Sequence, residues 1–234
     1  SLIQALRHRS LTKIMIILNH PTFDPVTSNA NAAIFIAICM RLSTIFSELL
    51  KFVDVNICNL FGDSLLLGLS KEMNRPEQLS TESVSEYFEI LTKIINHDAF
   101  DPTKSHFVES FFNIINILGE NQVNSINDKL IDIVKIMFVY NKNHSNLVDL
   151  NKPLPKGKSI FTLLENEELI GGLVPSLLTE WDVDPNILDS YGISPLEHAI
   201  KIKSIVYVHY LFTSDRIDLT KKFDSGETYL HLMA

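Results

Sequence analysis

Asp189-Ser190-Tyr191-Gly192-Ile193-Ser194-Pro195-Leu196-Glu197-His198-Ala199 follows closely on Val183-Asp184-Pro185-Asn186. Gly192 supplies the left-handed backbone that a tight turn needs. Ser194 then stands as a helix N-cap, and Pro195 occupies the first helical position, where a missing N–H costs nothing. Glu197 is placed to reach back and close a capping box. A helix is expected to start here, with Ile200, Ile202 and Ile205 carrying it on. Tyr207 to Phe212 forms a second short helix before the next aspartate, Asp218.

The opening phrase recurs along the whole chain. Its copies are Phe23-Asp24-Pro25-Val26, Val53-Asp54-Val55-Asn56, Phe100-Asp101-Pro102-Thr103, Val148-Asp149-Leu150-Asn151, Val183-Asp184-Pro185-Asn186 and Ile217-Asp218-Leu219-Thr220. The aspartates are spaced by 30, 47, 48, 35 and 34 residues. A period of this size means one supersecondary unit stacked on copies of itself. The turn glycine recurs with it. Gly157-Lys158-Ser159-Ile160-Phe161 lies 35 residues before Gly192, and Gly226-Glu227-Thr228-Tyr229-Leu230-His231 lies 34 after. Gly62-Asp63-Ser64-Leu65-Leu66 precedes Gly157 by 95, which is two long units. Each copy reads turn glycine, one residue, capping Ser or Thr, then an apolar helix.

These motifs resemble the ankyrin repeat. Ser194-Pro195-Leu196-Glu197 and Thr228-Tyr229-Leu230-His231 each keep three positions in kind of that family's Thr-Pro-Leu-His, and Val53-Asp54-Val55-Asn56 is close to its connector. The resemblance implies an all-α helical repeat solenoid with projecting turns and about six units. They are expected near 1–23, 24–53, 54–100, 101–148, 149–183 and 184–217, with a partial unit at 218–234. The phrases at Asp24 and Asp101 lack the glycine. The two long units need insertions, placed at 73–84 and 119–128, between the helices of a pair. Ile90, Leu91, Ile94 and Ile95 share one helical face, as do Leu130, Ile133, Val134, Met137 and Phe138, and both stripes read as core between repeats. The chain starts within one helix and stops just inside another, which reads as a piece of a larger protein.

Of 234 residues, 46% are apolar, ample for a core, and 28 acidic against 20 basic residues give a net charge of -8. That balance argues against nucleic acid, which needs a basic stripe. Cys39 and Cys58 form neither a disulfide framework nor a metal-spaced set. Cys39, in the run Ala32 to Met40, is expected as a small buried thiol. A reducing, cytoplasmic compartment fits. The run is too short to span a membrane, and Arg7, His8 and Arg9 interrupt any signal peptide.

The histidines read as structural. His20 and His97 occupy matching segments 77 residues apart, two repeat lengths, and are expected to bond orphan carbonyls at helix ends. His198 and His209 have no Cys or Glu partner at ligand spacing, and His231 resembles the family histidine of the turn network. No Gly-x-Ser-x-Gly frames a nucleophile, and neither Gly171-Gly172 nor Gly157-Lys158-Ser159 completes a phosphate loop. The expectation is a non-catalytic scaffold for a protein partner, with no cofactor, metal, small-molecule substrate or membrane insertion. The resemblance implies contact through turn tips and the groove of first helices. The tips include Asn59, Leu60, Phe61, Lys156, Ser190, Tyr191 and Phe223, with Leu60, Phe61, Lys156, Tyr191 and Phe223 as the partner-binding set. The alternative is the non-catalytic arm of a larger enzyme, trafficking regulator or effector.

Overall fold

The computed structural model describes residues 1–75, 80–120, 127–144, 147–220 and 228–229. Among these residues there are eleven α-helices and no strand, with an isolated antiparallel bridge between Cys58 and Ser64. The chain divides into two compact units, Ser1–Ile114 and Ile115–Ala234.

In the first unit, α1 (Leu2–Arg7), α3 (Ala30–Cys39) and α5 (Leu65–Met73) pack one on the next as a row. A parallel row is formed by α2 (Leu11–Leu18), α4 (Ser43–Leu50) and α6 (Thr81–Ile95). Each helix of the first row also packs on its partner in the second, so apolar faces meet along and across the stack. The unit ends within α7 (Phe107–Glu120). In the second unit, α8 (Asn127–Asn143), α9 (Glu167–Thr179) and α11 (Ile205–Phe212) pack in series, and α10 (Pro195–Lys201) packs on α11. Both apolar stripes read from the sequence are buried, on α6 and α8 respectively.

The hinge between paired helices is a left-handed residue. Arg9, Arg41 and Lys203 have φ of 50°, 58° and 57°. Around each, two main-chain N–H groups turn back onto helix carbonyls: Arg41 onto Ile38 and Leu42 onto Ala37, both at 3.0 Å. This is the Schellman closure, built without its usual glycine. Such a residue at position 203 stops α10 at Lys201, so Ile202 caps it and Ile205 opens α11, 83% exposed. The first helix, expected to run through Ile205, thus ends at Lys201, and the second, expected from Tyr207, already begins at Ile205.

Other local expectations change as well. Ser159 does cap, its Oγ accepting the Thr162 N–H at 3.1 Å. Only one turn follows, because Asn166 starts α9 a few residues later, its Oδ1 accepting the Glu168 N–H at 2.8 Å. Ser194 accepts the Glu197 N–H at 3.2 Å, but Glu197 pairs with Lys201 at 2.9 Å rather than closing a capping box. Cys39 is exposed, not buried. It ends α3 beside a core face of Ala30, Ala33, Ile34, Ala37 and Ile38. Partial burial of the thiol, and the Glu72 carboxylate facing it, still push it up to about 11. The first insertion, expected at 73–84, overlaps the end of α5 and the first turn of α6, and 76–79 lie outside the described residues. Of the second, at 119–128, residues 121–126 lie outside them. Much of the added length goes into helices of 15, 14 and 17 residues (α6, α7, α8), against 10, 8 and 9 for α3, α4 and α5.

All six repeated aspartates do the same thing. Asp24, Asp54, Asp101, Asp149, Asp184 and Asp218 each accept, through Oδ1, the N–H two residues on, at 2.9–3.0 Å. These are Asx turns, the first three placed after α2, α4 and α6 and the last three after α8, α9 and α11. Hydroxyl and N–H donors hold some of these carboxyls below their ordinary range. The Thr103 hydroxyl is the largest cause at Asp101, and Thr27 at Asp24.

The asparagine of the phrase joins one copy to the next. Asn56 Oδ1 accepts the Asp101 N–H at 2.8 Å, and its Nδ2 donates to the Ala99 carbonyl at 2.7 Å. Asn186 repeats this with Asp218 (2.7 Å) and Arg216 (2.8 Å). Asn151 accepts from Asp184 at 2.7 Å. Where threonine stands instead, at 103 and 220, its hydroxyl turns inward onto its own aspartate.

Candidate partner-binding surface

Three hairpin turns project from the helices, at 59–62, 154–157 and 189–192. In each, the glycine N–H donates to the carbonyl of the turn's first residue: Gly62 to Asn59, Gly157 to Leu154 and Gly192 to Asp189, at 2.8–3.0 Å. The glycines have φ of 85°, 85° and 77°, which a side chain would strain. Two turns are braced from inside. Asn59 Oδ1 accepts from Phe61 and Asp63, and Asp189 Oδ1 from Tyr191 and Ile193, at 2.8–3.0 Å. The tips are thus rigid before any partner arrives.

Leu60 is fully exposed and Phe61 is 90% exposed. The cause lies in the neighbouring phrases. From Asp54 to the start of α5 the chain uses ten intervening residues, enough for a hairpin. From Asp24 to α3, and from Asp101 to α7, it uses five. There Asn29 (φ 62°) and His106 (φ 51°) lead straight into the helix. The 59–62 tip has no hairpin beside it to cover its apolar end.

The other two tips touch. The Ser190 N–H donates to the Gly157 carbonyl at 2.7 Å, and the Tyr191 ring comes within 3.5 Å of where a Cβ on Gly157 would stand. Tyr191 nonetheless stays 73% exposed, and Lys156 beside it is exposed too. The expected set therefore falls into two groups: Leu60 with Phe61 in the first unit, and Lys156 with Tyr191 in the second. Phe223 lies outside the described residues.

The histidines face elsewhere than expected. His20 Nδ1 accepts the Thr22 N–H at 3.3 Å and shares a hydrogen bond with its hydroxyl at 2.9 Å. His97 Nδ1 accepts the Ala99 N–H at 3.2 Å. Each ring braces the turn that follows the helix, while main-chain N–H groups of Asn19 and His20 serve the helix carbonyls. His198 is half-buried, with Nε2 3.3 Å from the Leu164 carbonyl. Burial lowers its pKa, against the pull of that carbonyl. Among the described residues no three His, Cys, Asp or Glu side chains gather as a metal ion would need, and no helix is long and apolar enough to cross a membrane.

Sequence reasoning passed over a cleft in the second unit. It is about 460 Å³, at the ends of α8 and α9, and its walls include Phe138, Lys142, Asp149, Asn151, Trp181 and Asp182. The one signal for it was a lone tryptophan placed just after an apolar helix.

No family model matches the sequence, and no curated protein matches it either. Among solved structures, the crystal structure of EF0377, an ankyrin repeat protein, superposes with a TM-score of 0.59 at 17% identity. The match covers 92% of this chain and 97% of that one. Together with the repeated Asx turns, the left-handed helix hinges and the glycine-tipped hairpins, it makes the fold of this chain that of ankyrin repeats.

Proposed function

We propose that this chain is a protein-interaction scaffold, built of repeat units near 1–23, 24–53, 54–100, 101–148, 149–183 and 184–217 with a partial unit at 218–234, whose partner is gripped by its turn tips. The observation that carries this is the lone hairpin tip on which Leu60 is fully exposed and Phe61 is 90% exposed. Large apolar side chains held on a backbone fixed by Gly62 and Asn59 are wasteful in a turn that binds nothing. They bind with little ordering cost, because the turn is already set. Aromatic anchors of this kind commonly contribute about 2 kcal/mol or more each. Tyr191, on the tip braced by Asp189, is the second anchor.

The test compares Phe61→Ala plus Tyr191→Ala with His20→Ala plus His97→Ala, against a partner captured and identified with this chain. Loss of binding in the first pair, with melting unchanged, supports the reading. Loss in the histidine pair alone, or rescue of it by zinc, overturns it.

A further inference from the structure

Within the second unit the chain shows what covers one of its own glycine-tipped turns. The Ser190 N–H, from the tip of the next hairpin, donates to the Gly157 carbonyl at 2.7 Å. Where a Cβ on Gly157 would stand, the Ser190 Cβ lies at 3.2 Å and the Tyr191 ring at 3.5 Å. Gly157 is therefore required twice. Its φ of 85° disfavours a side chain, and the covering turn takes the space that a side chain would need. The cover itself has two parts: a small residue against the glycine and an aromatic residue after it.

Gly62 repeats this geometry in the first unit and has no cover. It holds the same place in its turn, with the same φ of 85° and its N–H on the Asn59 carbonyl at 3.0 Å. A Cβ on Gly62 would meet nothing within 4 Å, and its carbonyl accepts no hydrogen bond among the described residues. The next phrase cannot reach it, because the chain passes from Asp101 through His106 straight into α7 without a hairpin. The surface that Ser190 and Tyr191 cover on Gly157 is thus presented open at Gly62, beside the exposed side chains of Leu60 and Phe61.

We propose that the protein partner seats a tight turn of its own on Gly62, as Ser190 and Tyr191 seat on Gly157. One main-chain N–H of that turn donates to the Gly62 carbonyl, a small side chain lies against the glycine, and an aromatic side chain follows it, next to Phe61. The main-chain bond supplies affinity without regard to sequence, and the two side chains supply the specificity. Both tips are set before they meet, so little ordering opposes the contact, and paired aromatic rings attract beyond the area they bury. The proposal rests on the protein-binding reading and names the kind of segment that the 59–62 tip takes.

The probe is the disulfide-closed peptide Cys-Leu-Asp-Ser-Tyr-Gly-Ile-Cys, labelled with fluorescein, which copies residues 188–193 and keeps the aspartate that braces that turn. Its twin carries N-methylserine and so lacks the N–H that would meet Gly62. Anisotropy titration of the whole chain is expected to give saturable binding of the first peptide and binding several-fold weaker for the twin. Gly62→Asn keeps a residue that tolerates a left-handed backbone but fills the seat. It should leave melting unchanged and weaken the first peptide several-fold. If that variant unfolds, the comparison of the two peptides on the native chain still decides. No saturable binding, equal binding of the two peptides, or unchanged affinity in a folded Gly62→Asn overturns the seat. Self-association of the chain that Gly62→Asn abolishes would give the seat to a second copy and overturns it too. The peptides are read without any partner, so failure here is distinct from failure of the tip variants above.

Discussion

Asn186 holds Asp218 from 32 residues away: its Oδ1 accepts the Asp218 N–H at 2.7 Å. Its Nδ2 meanwhile donates to Asp184 Oδ1 and the Arg216 carbonyl, at 3.0 and 2.8 Å. One side chain thereby fixes two successive Asx turns at their repeat spacing.

Asn186→Ala removes all three bonds and leaves the Asp218 N–H and the Arg216 carbonyl without their partner. Water can reach these exposed groups, so the expected cost is about 0.5–1.5 kcal/mol, the net contribution of an ordinary hydrogen bond. Asn151→Ala removes a single bond to Asp184 and should cost clearly less. Urea unfolding of the two variants checks the order. Equal losses would mean that the extra bonds of Asn186 contribute nothing.

Gly171 and Gly172 are neighbours on α9 with opposite surroundings. A Cβ on Gly171 meets nothing within 4 Å, whereas one on Gly172 would come within 2.5 Å of Ile131 Cδ1 on α8. Gly171→Ala should stabilise by up to about 1 kcal/mol, the helix-propensity gain. At Gly172 the same gain is opposed by the need to move Ile131, whose Cγ atoms would also stand at 3.3 Å. Gly172→Ala should therefore fall below Gly171→Ala in thermal unfolding, and Gly172→Val should destabilise by about 1–3 kcal/mol through overpacking.

Two buried tyrosines differ only in what their hydroxyls meet. Tyr207 donates to the Phe161 carbonyl at 2.6 Å from a fully buried position. The Tyr87 hydroxyl is equally buried and has no partner among the described residues, and burial pushes it up to about 12. Tyr207→Phe leaves the Phe161 carbonyl with only the Leu164 N–H at 3.2 Å and should cost about 0.5–1.5 kcal/mol, the net contribution of the lost bond. Tyr87→Phe removes an unpaid polar group and should be neutral or stabilising. Denaturant midpoints decide the pair, and a large loss at Tyr87→Phe would reveal a partner for its hydroxyl.

What was legible in the sequence was what local chemistry decides. Asp24 through Asp218 mark equivalent turns because an Asx turn is complete within three residues. Gly62, Gly157 and Gly192 mark hairpins because positive φ favours glycine at that one position. What was not legible depended on distant or competing partners. The role of Asn56 needs Asp101, 45 residues on. Ser159 carried the same capping signal as Ser64, yet Asn166 began the next helix too soon for a first helix to grow. Leu60 and Phe61 could be named as tip residues, but their full exposure follows from the short five-residue lead-ins after Asp24 and Asp101. The cleft at Trp181 lies beside one left-handed residue, Asp182, that nothing in the repeat pattern demanded.

His198 makes the second unit sensitive to mild acid. Burial disfavours its charged form, so its pKa in the folded chain lies below the ordinary 6.5, despite the Leu164 carbonyl 3.3 Å from Nε2. Below that ordinary value the unfolded chain binds a proton that the folded chain resists. Stability from this residue is therefore complete above about 6.5 and is lost as pH falls from there toward the lowered folded value. Urea unfolding at pH 7.5 and at pH 5.5 should show a larger drop for the native chain than for His198→Gln, whose side chain can still donate and does not titrate. If His198→Gln keeps the full drop, the acid sensitivity belongs to other groups, and the contact of His198 with Leu164 has no influence on when the chain unfolds.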